Sequence, residues 1–188
     1  DNSARYFNYY FGKYPHLIRS NRTSVAILKG DESTADLQAL GADIFDYFGL
    51  GCRNVSKVFV KNQGQLTDLL DALESYSWVG NHHKYFNNYE YNKSIYLVNR
   101  TTHLDNGFLL LRESTDLVSP IGVLFYEIYA DQQELKAKLK ELDAKIQCVV
   151  GNQTVELPGI IPFGQTQCPQ PWDYADGVDT LQFLSDLG

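Results

Sequence analysis

The chain has 188 residues, 44% hydrophobic and 21% charged, a balance that fits one globular domain with a real core and excludes a disordered chain. Sixteen Lys and Arg stand against 23 Asp and Glu, a formal net charge of −7, so there is no general cationic surface for nucleic-acid phosphates. No apolar run approaches the roughly 20 residues that span a bilayer, and no basic-then-apolar signal segment opens the chain.

Residues 1–20 carry Tyr6, Phe7, Tyr9, Tyr10, Phe11 and Tyr14, stopped by Gly12 and Pro15. Phe7 and Phe11 fall at i and i+4, which predicts a short helix ending near Pro15. With only Arg5 and Lys13 beside them, these rings are expected in core or interdomain packing rather than on stacked bases. Ser24-Val25-Ala26-Ile27-Leu28 reads as a buried strand, and Thr34 to Phe48 as a helix with Ser33 as N-cap. After the turn at Gly49-Leu50-Gly51-Cys52, Val55 to Val60 is a strand. Gln65 to Ser75 is an amphipathic helix carrying Leu66, Leu69, Leu70 and Leu73. His82 to Arg100 is helical, Phe108 to Leu111 and Val123 to Tyr129 are strands, and Asp131 to Leu142 is a third leucine-striped helix. Ile146 to Val150 is a short strand, and the tail from about residue 160 is irregular until a short helix near Leu181 to Leu187. The alternation of strand and helix predicts an α/β fold, three layers α/β/α about a mainly parallel sheet, in a single domain.

Cys52, Cys148 and Cys168 have neither zinc-site spacing nor an even count, which favours reduced thiols and a cytoplasmic setting. The absence of methionine leads to the expectation that the chain starts inside a longer protein. Asn-x-Ser/Thr triplets at Asn21, Asn54, Asn92, Asn99 and Asn152 are read as chance in an asparagine-rich sequence. Cys148 lies mid-strand, where a cysteine is usually a small core residue. Cys168 has nothing basic beside it. Cys52 sits on a glycine turn and is followed by Arg53, the kind of setting in which a thiol can be exposed and ionised. The preceding helix points its C-terminal end at this turn, which opposes ionisation, so Arg53 and backbone N–H groups must compensate. From these residues alone, a nucleophile and a packed loop cysteine are equally good readings. His82, His83 and His103 complete no ligand set, so no metal is expected; a distant histidine partner for Cys52 stays open.

The turn Phe48-Gly49-Leu50-Gly51-Cys52-Arg53 resembles the nucleophile turn of the aldehyde dehydrogenase superfamily, with Leu50 in place of the family glutamine. Ile27-Leu28-Lys29-Gly30, Arg112-Glu113-Ser114 with Ser119-Pro120-Ile121-Gly122-Val123, and Pro162-Phe163-Gly164-Gln165 resemble three further superfamily motifs in the same order. Cys52 to Ser56, Ser119 to Val123 and the tail from Gly164 through Cys168, Pro169, Trp172, Asp176 and Gly177 are most similar to the fatty-acyl-CoA reductase branch, the bacterial-luminescence type. The resemblance implies an aldehyde-dehydrogenase-like catalytic domain with a C-terminal tail, and a nucleotide-binding domain lying mostly upstream. It implies Cys52 as the catalytic nucleophile, Glu113 at the nicotinamide ribose of NADPH, and Gly51, Phe163 and Gly164 at a long-chain acyl-CoA or acyl-thioester substrate. Ile27 or Leu28 stands where hydrolytic members carry a water-activating glutamate, and an apolar residue there would protect an acyl-enzyme from hydrolysis. A homo-oligomer or a partner enzyme fits the same resemblance. The competing expectations are an acyl-phosphate reductase of the glutamyl-phosphate type and a non-enzymatic α/β interaction module.

Overall fold

The computed structural model describes residues 2–18, 21–152, 154–155 and 157–187; Asp1 and the side chains of Asn2 and Asp176 lie outside the described residues. Six strands form one sheet: β1 (Thr23–Ile27), β2 (Val55–Val60), β3 (Leu104–Asp105), β4 (Leu110–Glu113), β5 (Val123–Ile128) and β6 (Ile146–Val150). Their order is β3-β4-β5-β2-β1-β6, and every pair is parallel except β3 with β4. All of β1 is buried because helices cover both faces, the usual condition of a parallel sheet.

One face packs Ala26, Leu28, Val58, Val60 and Leu124 against α2 (Thr34–Phe45) and α3 (Gly64–Ala72) through Leu37, Leu40, Ile44, Leu66 and Leu69. On the other, α5 (Gln132–Leu142) lays Leu135 and Leu139 over Val25, Ile27 and Phe59. The third helix to join, α4 (His83–Val98), covers Leu110, Val123 and Phe125 with Tyr89 and Tyr96. The expected three layers are present, and the strand bounds of β2 and β6 are those read from the sequence.

Of the core or interdomain packing expected for the aromatics of α1 (Asn2–Phe11), packing in this chain's core is excluded: Tyr6, Phe7, Tyr9, Tyr10, Phe11 and Tyr14 are all more than half exposed. A second expectation fails outright. The helix expected to run to Phe48 stops at Phe45. Its start is as predicted, with a capping box in which Ser33 Oγ accepts from Asp36 N and Asp36 accepts from Ser33 N. Its end is set by backbone geometry, because Tyr47, Phe48 and Gly49 take left-handed conformations (φ 53°, 58° and 74°) and turn the chain back toward the sheet. The edge strand β3 carries no strand signal, being two residues long. The tail closes with α6 (Thr180–Ser185), capped by Asp179.

Candidate functional site

The candidate site is the turn between α2 and β2, at the amino ends of the central parallel strands. Left-handed backbone costs roughly 1–2 kcal/mol per non-glycine residue, and Tyr47 and Phe48 adopt it consecutively five and four positions before Cys52. Strain of this kind persists only where surrounding contacts impose it. Here the imposing side chain is Asn54, only 2% exposed. Its Oδ1 accepts from Gly51 N at 2.8 Å, and its Nδ2 donates to the carbonyls of Asp43 at 3.1 Å and Asp46 at 2.8 Å. The side chain therefore satisfies carbonyls at the end of α2 and ties them to the turn. Gly51 has to be glycine, because a Cβ there would lie 2.9 Å from Asn54 Oδ1. The burial of Asn54 and Asn92 also fits the chance reading of their glycan-like triplets.

Cys52 itself is exposed. Among the described residues its backbone N–H has no hydrogen-bond partner, so a donor stands beside the sulfur. Its carbonyl accepts from the hydroxyl of Ser24 on β1 at 3.0 Å, and Ser24 N donates to Asn54 O at 3.2 Å. Arg53 Nε donates to the carbonyl of Thr166, which brings the tail onto the turn. The same stretch of tail is held by Asp43, 1% exposed on α2. Gly164 N and Thr166 N donate to its two carboxylate oxygens at 2.6 and 3.0 Å, and Thr166 Oγ1 adds a third bond at 2.8 Å. Burial nevertheless outweighs these donors and lifts the Asp43 carboxyl above the ordinary carboxylate range.

The other predicted positions fall at varied distances from the cysteine. Gly164 reaches the turn through Asp43, and no Cβ would fit there without pressing on Ala39 at 3.2 Å. Phe163 is 8% exposed and packs in the α2–α3 core, so its ring lies among aliphatic neighbours. Ser119–Val123 comes close: Ser119, Pro120, Ile121, Gly122 and Val123 share a cavity of about 30 Å3 with Phe48, Gly49 and Val55. Glu113 is exposed at the end of β4, two strands from β2 and level with Val58. At about 4.8 Å between strands and 3.3 Å per residue, its backbone stands on the order of 14 Å from the start of β2. Ile27 and Leu28 are at the carboxyl end of β1, fully buried and a strand length from the turn. The residue that touches the Cys52 turn from β1 is Ser24, so the water-activating position inferred at Ile27 or Leu28 is not beside the sulfur. His82 meets the turn at Phe48, where its ring stacks (centroids 3.9 Å apart), and its Nδ1 accepts from Tyr85 N to cap α4. Among the described residues no cluster of three or more His, Cys, Asp or Glu could hold a metal ion. Sequence reasoning missed Asp43, Ser24 and Thr166 because their roles come from the parallel pairing and the return of the tail. Asn54 was readable as a polar residue two positions after the cysteine, and its burial was not.

No protein-family model matches the chain, and a comparison with curated proteins finds no significant match. Comparison with solved structures shows the fold to be that of aldehyde dehydrogenase catalytic domains. A mutant of the P. syringae indole-3-acetaldehyde dehydrogenase AldA, in complex with NAD+ and IAA, aligns with a TM-score of 0.56 at 10% identity, over 82% of this chain and 39% of its own. An indole-3-acetaldehyde dehydrogenase complexed with NAD+ gives a TM-score of 0.55 at 11% identity over the same shares. The chain thus spans well under half the length of the structures it is similar to.

Proposed function

We propose that the chain is the catalytic portion of an acyl-CoA reductase, in which Cys52 takes a long-chain acyl group from coenzyme A as a thioester that is then reduced to the fatty aldehyde. The observation that carries this reading is an exposed thiol with an unpartnered backbone N–H beside it, presented on a strained turn in a fold of the aldehyde dehydrogenase type. The Cys52 thiolate attacks the acyl carbonyl, and the oxyanion that forms can accept from the Cys52 N–H. A single donor so placed is worth roughly 3 kcal/mol at the transition state. Coenzyme A leaves as a thiolate, which needs little acid assistance because its conjugate thiol is a comparatively strong acid. Tyr47, Leu50 and Trp78 flank the turn as exposed apolar side chains and supply a surface for an acyl chain.

NADPH is the cofactor this reading takes, and when bound it supplies the hydride that reduces the thioester. The carboxylate of Glu113 has no hydrogen-bond partner among the described residues, so it is free to accept from ribose hydroxyls. The chain by itself is expected to acylate without turning over, the rest of the nucleotide site being contributed from outside it. Intact-mass analysis after incubation with palmitoyl-CoA tests the reading. One acyl group released by neutral hydroxylamine should appear on the native chain and be absent from Cys52→Ala. No adduct, or an adduct that persists in Cys52→Ala, would refute it.

A further inference from the structure

The pairing of β6 with β1 is irregular at one point. Thr23 faces Ile146 and Val25 faces Val149, so Gln147 and Cys148 together oppose Ser24. This is a β-bulge on the edge strand of the sheet, a device that commonly re-aims a side chain. Ser24 is the same residue whose hydroxyl holds the Cys52 carbonyl and whose N–H holds Asn54 O. Cys148 thus lies across from Ser24 on the neighbouring strand, close enough for the serine to act on its thiol. One serine therefore stands between the exposed Cys52 and the buried Cys148, although the two lie 96 positions apart in the chain. Burial pushes the Cys148 thiol up, and Ser24 and the charge of Arg53 offset part of that rise.

We propose that Cys148 is a resolving thiol for Cys52, so that a hydroperoxide converts the pair into an intramolecular disulfide. In the first step the Cys52 thiolate attacks the peroxide O–O bond; sulfur is oxidised to a sulfenic acid, and the distal oxygen leaves as hydroxide or the corresponding alkoxide. In the second, the Cys148 sulfur displaces the sulfenic oxygen, which leaves as water with the thiol proton, and the S–S bond forms. Overall two thiols and one hydroperoxide give one disulfide, one water and one water or alcohol.

A disulfide needs Cα atoms about 4.4–6.8 Å apart, and adjacent strands are about 4.8 Å apart. Cys148 already lies one strand from Ser24. Closing the bridge requires the Cys52 turn to move toward β6 and to break the Ser24–Cys52 bond. The bridge would cover the nucleophile and block over-oxidation to sulfinic acid. The proposal requires two thiols and release of the Ser24–Cys52 bond, neither of which acyl transfer needs, so its failure leaves the acyl-transfer reading untouched.

The test treats the native chain with hydrogen peroxide and maps peptides without reduction. A Cys52–Cys148 linked peptide, with loss of two hydrogens in intact mass, is the expected result. Iodoacetamide labelling of Cys52 should be lost on oxidation and restored by dithiothreitol in the native chain and in Cys168→Ser. It should not be restored in Cys148→Ser or Cys148→Ala, where Cys52 should carry sulfinic or sulfonic acid. Linkage of Cys52 to Cys168, no linkage in the native chain, or restoration in both Cys148 variants would overturn the proposal.

Discussion

Replacing Asn54 by alanine tests whether this one side chain shapes the cysteine turn. The change removes the bond from Gly51 N and the bonds to the carbonyls of Asp43 and Asp46. Each such bond is worth a net of about 1 kcal/mol, and a buried group left unpaired costs about 1–3 kcal/mol. Gly51 is exposed, so water replaces its partner at little cost, whereas the Asp43 carbonyl lies in buried surroundings. The sum is about 3 kcal/mol, a large part of the roughly 5–15 kcal/mol a domain possesses. For a chain of this size that is a fall in Tm of about 10 °C. Urea unfolding of both proteins measures it. Asn54→Asp supplies the control, since it keeps the acceptor for Gly51 N and turns a carboxylate toward the carbonyls that Nδ2 now serves. At neutral pH it should be at least as destabilising as Asn54→Ala. A cost under about 1 kcal/mol for alanine would show that the turn is held elsewhere.

Tyr47→Gly should stabilise the chain by about 0.5 kcal/mol, because it relieves left-handed strain at a side chain 70% exposed, less the entropy glycine loses on folding; destabilisation beyond 1 kcal/mol in urea would contradict this. On the opposite face of the sheet, the fully buried Lys57 ammonium donates to Glu127 at 2.5 Å and to the Ser114 carbonyl at 2.8 Å, while Lys138 also binds Glu127. Glu127→Gln leaves Lys57 without its counter-charge and should cost about 3–5 kcal/mol, more than Lys57→Met, which leaves Glu127 with Lys138. Burial would lift Glu127, but the hydrogen bonds from Lys138 and Lys57 outweigh it and hold its carboxyl below the usual range. Its contribution is therefore present above the unfolded-state pKa and lost as pH falls through the lower folded value; an acid midpoint unchanged in Glu127→Gln would contradict that. Asp43 has the opposite sign. Its raised pKa means the native state holds that proton more tightly, so its contribution is full below the unfolded pKa and falls as pH rises through the folded one. The stability of the native chain relative to Asp43→Asn should accordingly decline as pH rises above the ordinary carboxylate range in urea titrations, and a flat difference would refute the assignment.

What the sequence disclosed was local. Ser33 and Asp36 announce the start of α2 by a spacing that needs no tertiary information, and β2 and β6 are apolar runs long enough to be bounded by their turns. The end of α2 was hidden because Tyr47 and Phe48, which are not glycines, carry the reversal. Nothing in their identity says that Asn54 will hold them there. The exposure of α1 escaped for a related reason, since a run of aromatics states a need for burial without saying where its cover comes from. Motif order misled at Ile27–Gly30: this segment is near Cys52 in the chain, but a parallel strand carries it to the other end of the sheet.

Apart from Ser24, the parts of the site that sequence could not disclose converge on Asp43. Its side chain binds Gly164 and Thr166 from the tail, and its carbonyl accepts from Asn54 in the turn. Thr166 in turn takes Arg53, the neighbour of the cysteine. The position of the tail and the shape of the turn are therefore two ends of one hydrogen-bonded circuit, closed through residues that lie up to 123 positions apart. A carboxylate whose burial raises its pKa is a costly tie for a loop, and it persists because losing it would leave three donors unpaired. The circuit fixes the Cys52 backbone from the α2 side while Ser24 holds it from the sheet. The sulfur is left as the exposed group of an otherwise anchored segment, the arrangement a nucleophile requires.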